Sequence, residues 1–215
     1  IPAVFAYINI KNVEILLTEW IDMQNFNQKK LGKGLGEMHL NSNECNPRMF
    51  GYPIEGFIGI TDQKKGWEDN WIDCFLNLRI IPQLSILKSN ILDEETIKKT
   101  KEKIRLELGN HKPLNSLVHG DLWSGNVGME ENGKGVIFDP ASWWADNEVD
   151  IAMTKLFGGF GKEFYEEYNK IIPLREGFEK RAIIYNFYHI LNHANMFGGS
   201  YLNQVKNYAK AVVNF

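Results

Sequence analysis

The spacing of apolar residues changes period several times along the chain. Val4 to Asn9 and Val13 to Trp20 are apolar, β-branched runs, and the polar stretch Asn9-Ile10-Lys11-Asn12 between them predicts a hairpin. Leu31, Leu35, Met38 and Leu40 suit one helix face, so 31–40 is predicted helical. Asn41 to Ile60 is rich in Asn, Gly and Pro and is predicted to be loop. Trp71, Cys74, Phe75 and Leu78 recur at i, i+3, i+4 and i+7, predicting a helix that opens at Gly66-Trp67 and is interrupted or restarted at Pro82. Leu92 to Leu108 begins acidic, continues with lysines and keeps Ile97, Ile104 and Leu108 on one stripe. It reads as a dipole-matched helix stopped by Gly109-Asn110 and Pro113.

Beyond it the period shortens. Leu117-Val118 and Gly135 to Phe138 are short apolar runs, predicted as two strands joined by the turn Glu130 to Gly135. Ala141 to Asn147, with Trp143 and Trp144, is predicted to be loop. Helices are expected over Glu148–Phe157, around Phe164 to Tyr168, over Phe178–Met196 and over Tyr201–Val213, with Gly158-Gly159 and Gly198-Gly199 closing two of them. The pattern is α+β: a strand hairpin, helices, a two-strand insert and more helices, with no repeats or linkers.

Composition narrows the class. A chain of 215 residues, 44% hydrophobic and 24% charged, is an ordinary globular protein with room for a sizeable core. A net charge of −3 offers no basic excess for nucleic acid. No apolar run approaches the ~18 residues of a membrane span, and no basic segment opens a signal sequence. With only Cys45 and Cys74, a disulfide framework is not expected and the cytoplasm is the default. The chain opens on Ile1 rather than Met, which fits a processed product or a fragment.

The chemistry concentrates in Leu117-Val-His-Gly-Asp-Leu-Trp-Ser-Gly-Asn126, with Asn126 five residues past Asp121 and Asp139 ending the second apolar run. Two strands that each deliver a carboxylate, with an amide oxygen between, suit magnesium and a hydroxyl attacking a phosphate. Asp121 is placed to take the hydroxyl proton, and Asn126 and Asp139 offer the hard oxygens magnesium prefers. Gly32, Gly34 and Gly36 fit neither phosphate-loop spacing and are read as helical. His39 reads as a packed or capping residue and Arg79 as an ion-pair residue. His189 and His193, four apart, lack a third ligand and are not read as a metal site.

With these residues in view, the chain resembles the fructosamine (ketosamine) kinase family, a branch of the aminoglycoside-phosphotransferase-like kinases. Trp123 within His119–Asn126, Phe138-Asp-Pro-Ala141, Glu148–Met153, Leu156–Phe160, Tyr188–His193 and Phe197–Leu202 carry the likeness. It implies a protein-kinase-like fold, mainly the helical C-terminal lobe (23–215), with a residual N-lobe hairpin and hinge (1–22). It implies ATP-dependent, magnesium-dependent phosphorylation of the sugar 3-hydroxyl of a ketoamine, free or protein-bound, leading to deglycation. Asp121 would be the base, Asn126 and Asp139 the metal ligands, and Glu19, Trp20 and Ile21 the hinge that meets adenine. Trp123 and His193 are the candidate substrate contacts. The family's Gly-rich loop, strand lysine and helix glutamate have no counterpart here, so the chain is expected to be a fragment with little activity alone. The alternatives are an aminoglycoside- or choline-like kinase and a non-catalytic pseudokinase.

Overall fold

The structure is a computed structural model that describes residues 1–11, 13–88 and 90–215. Strands β1 (Val4–Ile10) and β2 (Val13–Thr18) form the expected antiparallel hairpin; Asn12 of its expected turn lies outside the described residues. Every residue of the two strands except Ala6 is exposed. The chain then runs to β8 (Val127–Met129), where the Gln24 N–H donates to the Met129 carbonyl at 2.7 Å.

Helix α1 (Gln28–Glu44) is capped by the Asn27 side chain, which accepts from the Lys30 N–H. Its glycines serve packing. A Cβ on Gly32 would collide with the Phe164 carbonyl of α6 (Lys162–Ile171), and one on Gly36 would lie 3.1 Å from Ile171. Gly34 faces open space. The two helices cross where side chains are smallest.

The expected loop over 41–60 is overturned in three places. Helix α1 continues to Glu44, and β3 (Phe50–Tyr52) and β4 (Gly56–Ile58) follow. Strand β4 pairs with β5 (Thr61–Gln63). The helix expected to open at Gly66-Trp67 starts later. Gly66–Glu68 is strand β6, and α2 (Trp71–Cys74) begins where Asn70 accepts from the Ile72 and Asp73 N–H groups. A wide-turned π segment (Phe75–Ile80) follows, and Pro82 sits in the first turn of α3 (Ile81–Ile86), where its missing N–H costs nothing. Helix α4 (Glu94–Gly109) keeps the expected stripe, with Ile104 and Leu108 buried.

The largest correction concerns strand pairing. Strand β7 (Asn115–Val118) does not pair with β9 (Gly135–Ile137); the Glu130–Gly135 turn joins β9 to β8 instead. The expected loop at 141–147 contains β10 (Trp143–Asp146), which pairs with both β7 and β3. The resulting antiparallel sheet has the order β6-β3-β10-β7. Its strands are three or four residues long and their partners are remote in sequence. Local periodicity cannot reveal such pairs.

Helices α5 (Glu148–Leu156), α6, α7 (Phe178–Phe197) and α8 (Ser200–Val213) complete the chain as expected. The core centres on Trp71, which meets Phe50, Phe75, Trp143 and Tyr185 with ring centroids 5.3 to 5.9 Å apart. Arg79 forms no ion pair among the described residues. Its guanidinium lies 4.0 Å over the Trp143 ring and donates to the Lys64 and Leu78 carbonyls. Burial lowers its pKa.

Gly32→Ala should destabilise the fold by about 1–3 kcal/mol through overpacking. Gly34→Ala should stabilise it by about 0.5–1 kcal/mol through helix propensity alone. Urea unfolding of the two variants measures both, and a Gly32→Ala protein as stable as the parent would contradict the close α1–α6 crossing.

Candidate active site

His119 and Gly120 follow β7, and their backbone is held from below. The buried Asp150 carboxylate, in the first turn of α5, accepts from the His119 N–H at 2.7 Å and the Gly120 N–H at 2.9 Å. It also accepts from His39 Nε2 at 3.1 Å, and His39 Nδ1 meets the Tyr168 hydroxyl at 2.9 Å. Burial alone would raise the Asp150 pKa. Hydrogen bonding and charge from His39, the nearby His119 ring and the Gly120 N–H outweigh it, and the group stays below its ordinary value. His39 is thus the packed histidine expected. Gly120 has φ +83°, and a Cβ there would collide with the Ala141 carbonyl, so the His-Gly-Asp turn needs glycine.

Asp121 and Asp139 are cross-braced. His119 Nε2 donates to the Phe138 carbonyl at 2.8 Å, while its Nδ1 accepts from the Asp121 N–H at 3.3 Å. The Ala141 N–H donates to the His119 carbonyl at 2.9 Å and the Phe138 N–H to the Asn126 carbonyl at 3.1 Å. Asn126 Nδ2 donates to the Asp121 carbonyl at 2.9 Å. That leaves Asn126 Oδ1 as the free end of the amide. Asp139 takes φ +55°, a left-handed conformation that Asp tolerates better than most residues. Burial, then the charges of Asp139 and Asp150, push the Asp121 pKa up to about 6.

These groups open into a cavity of about 480 Å³. Asp121, Asn126, Asp139, Trp123 and His193 all line it, so five of the eight residues singled out from sequence converge. Trp123 is 40% exposed and lies over Gly125, where any Cβ would meet its ring. His193 Nδ1 donates to the His189 carbonyl at 2.8 Å, and Nε2 has no hydrogen-bond partner among the described residues. His189 itself is buried, lines no part of the cavity, and has its pKa lowered to about 3 by burial and by His193.

Glu19, Trp20 and Ile21 do not line this cavity. They border a separate open cleft with Asp22 and Glu130 to Asn132, on the turn of the β8–β9 hairpin. The Glu19 N–H and carboxylate are engaged by Ala3, and the Trp20 indole donates to Asp22. The backbone of Trp20 and Ile21 is what remains of the hinge expectation.

Sequence reasoning missed Asp150, Phe157, Phe197 and Tyr201. Asp150 looked like an ordinary acid at a helix start, since its role depends on backbone groups 30 and 31 residues away. A further acidic group, His111, Asp146 and Glu148, has ligand atoms within 4.8 Å of one another. Its members are satisfied internally: Tyr185 and His111 donate to Asp146 at 2.6 and 2.7 Å, and Arg181 grips Glu148 at 2.6 and 2.9 Å.

Asp121, Asn126 and Asp139 thus line one cavity in a fold of the kinase-like class. Comparison with known proteins makes the class particular. The profile of the fructosamine kinase family matches residues 1–214, and the chain belongs to that family. It is 39% identical to a probable ketoamine kinase of Synechocystis over 201 residues, 91% of this chain and 66% of that one. It is 32% identical to mouse ketosamine-3-kinase, over 91% of this chain and 73% of that one. The crystal structure of a "putative fructosamine-3-kinase" from Haemophilus somnus superposes with a TM-score of 0.86 at 27% identity, covering 99% of this chain and 72% of that one. The chain therefore spans about two thirds of the length of the Synechocystis relative. The kinase-like α+β fold expected from sequence is the fold observed.

The raised Asp121 pKa carries a stability consequence. The folded state binds this proton more tightly than the unfolded chain, so ionised Asp121 opposes folding above pH 6 and the penalty fades as pH falls from 6 to 4. In chelator-containing buffer, Asp121→Asn should stabilise the protein by about 1–2 kcal/mol at pH 7.5. The gain should shrink below pH 5, as read by denaturant titration at both pH values. Equal effects at the two would contradict the raised pKa.

Proposed function

We propose that this chain carries the catalytic and acceptor-binding part of an ATP-dependent ketoamine 3-kinase. The acceptor is the 3-hydroxyl of the sugar in a fructosamine or ribulosamine, free or attached to a protein. The observation that carries the reading is the braced Asp121–Asp139 pair opening into a cavity that also presents Trp123 and His193. Family membership supplies the substrate class, because the mouse relative is a ketosamine-3-kinase.

Asp121 accepts the hydroxyl proton. Its raised pKa makes it a better base while leaving it mostly ionised at neutral pH. The brace through His119 and Asn126 holds it in place, which matters because phosphoryl transfer depends mainly on positioning and charge neutralisation. The donor set fits magnesium. Asn126 Oδ1 and the Asp139 carboxylate are hard oxygens, and Asp139 lies near enough to Asp121 for its charge to raise the Asp121 pKa. A bound ion would neutralise charge developing on the phosphates. Trp123 offers a face for the sugar, and His193 Nε2 an acceptor for one of its hydroxyls.

Residues 1–22 give the small-lobe side and 23–215 the large lobe. The backbone at Trp20 and Ile21 is the adenine hinge. Phosphorylation destabilises the adduct, so the net result is deglycation. Among the described residues no helix is long and apolar enough to cross a membrane. Cys45 and Cys74 are both free thiols, which supports a cytoplasmic setting.

The test is phosphate transfer by the full gene product with ATP and magnesium. Fructosyl-lysine or ribulosyl-lysine should be phosphorylated and kanamycin and choline should not. Asp121→Asn should lower kcat by ~10²–10⁴-fold with little change in ATP affinity. Preference for kanamycin or choline, or an unaffected Asp121→Asn protein, would overturn the reading.

A further inference from the structure

Part of the cavity wall is aromatic. Helix α5 is followed by Phe157-Gly158-Gly159, and α7 ends in Phe197-Gly198-Gly199. All four glycines have positive φ, from 56° to 91°, where a Cβ is strained. Each pair turns the chain sharply just after a phenylalanine, and both phenylalanines line the same cavity. The second turn also brings Tyr201, in the first turn of α8, next to Phe197 with centroids 6.2 Å apart. His193 sits among the three, with centroids 5.1 Å from Phe157, 5.7 Å from Phe197 and 5.1 Å from Tyr201. The rings are tilted by 41° to 52° rather than stacked. Phe157 is 42% exposed and Phe197 63% exposed, so substantial ring surface is left uncovered.

Charge tells what such a wall suits. The cavity lining holds Asp121 and Asp139 and, among the described residues, no lysine or arginine. A neutral sugar gains nothing from the acidic field, and a sugar phosphate would be repelled by it. Aromatic faces in an anionic cavity attract an organic cation, because ring quadrupoles are negative on their faces. A ketoamine carries one such cation, the secondary ammonium that joins the sugar to its amine.

We propose that the cavity-facing surfaces of Phe157, Phe197 and Tyr201, with His193 packed among the three rings, form an open aromatic cage over which the secondary ammonium of the substrate lies, and that this cage selects amine-linked sugars over their uncharged counterparts. The proposal rests on the ketoamine reading and assigns residues that reading leaves idle. Trp123, Asp121 and His193 Nε2 take the sugar, Asp139 takes the metal, and the cage takes the charged linkage. The double-glycine turns hold Phe157 and Phe197 either side of His193. An acceptor with several ammonium groups would need more carboxylates than the two the site already commits to phosphoryl transfer.

Equilibrium binding tests the cage without requiring turnover. The probes are 1-deoxy-1-(propylamino)fructose and its uncharged isostere, 1-O-propylfructose, titrated calorimetrically into the full gene product. The amine should bind about tenfold more tightly than the ether. Phe157→Leu and Phe197→Leu keep apolar volume and remove the ring faces. Each should reduce that preference severalfold, and together they should bring it close to one, with ether affinity unchanged within about twofold. Equal affinity of the parent for both probes, a preference that survives both substitutions, equal weakening of both probes, or no binding of either would overturn the proposal. A parent that prefers the amine through these rings but transfers no phosphate to it would overturn the ketoamine kinase reading and leave the cage standing.

Discussion

The Asp150 carboxylate and the two N–H groups it receives from His119 and Gly120 set the rest of the site. An ion buried this completely costs several kcal/mol in lost hydration unless its oxygens are filled. Asp150 fills them with two backbone donors and His39, and Tyr168 and Asn147 support His39 in turn. The backbone donors belong to the very residues that aim Asp121. Their position is therefore fixed by an interaction that cannot be relaxed without exposing a charge to apolar surroundings. The same arrangement joins α1, α5 and α6 to the end of β7, so the packing of three helices is coupled to the geometry of one loop.

Asp121 sits on the other side of that bargain. Asp150 is kept below its ordinary pKa by donors, whereas among the described residues no donor reaches the Asp121 carboxylate, which is pushed up by burial and by the neighbouring charges. Two acids from adjacent elements thus take opposite shifts. One fixes structure, and the other is left basic and open to the cavity. Holding Asp121 there lowers stability, and the surrounding framework of His119, Asn126, Phe138 and Ala141 hydrogen bonds restrains it nonetheless.

What could be read from sequence divides along the same line. Asp121, Asn126, Asp139 and Trp123 were legible because their chemistry is written in local spacing, within one loop and the next strand end. The helices from α4 onward were legible because their apolar stripes repeat. Asp150 was hidden because an acid in a first helical turn has a sufficient local explanation. Strands β3, β6 and β10 were hidden because three or four residues show no usable period and their partners are far away. Trp143 and Trp144 looked like loop aromatics until β10 was seen to bridge β7 and β3. Phe157 and Phe197 looked like helix ends before glycine stops. Only the tertiary fold shows that both stops turn toward one cavity.

The hairpin poses the remaining physical question. An antiparallel pair with one solvated face alternates apolar and polar residues, but β1 and β2 carry Phe5, Tyr7, Ile8, Ile15, Leu16 and Leu17 on both faces, all exposed. That pattern belongs to strands covered on both sides. The hairpin nonetheless reaches the site through a defined path. Trp20 and Ile21 follow β2, Met23 packs against Gly128, and Gln24 bonds Met129. Strand β8 begins directly after Asn126. The proposed adenine hinge and the proposed metal ligand Asn126 are thus joined through the Gln24–Met129 hydrogen bond and strand β8.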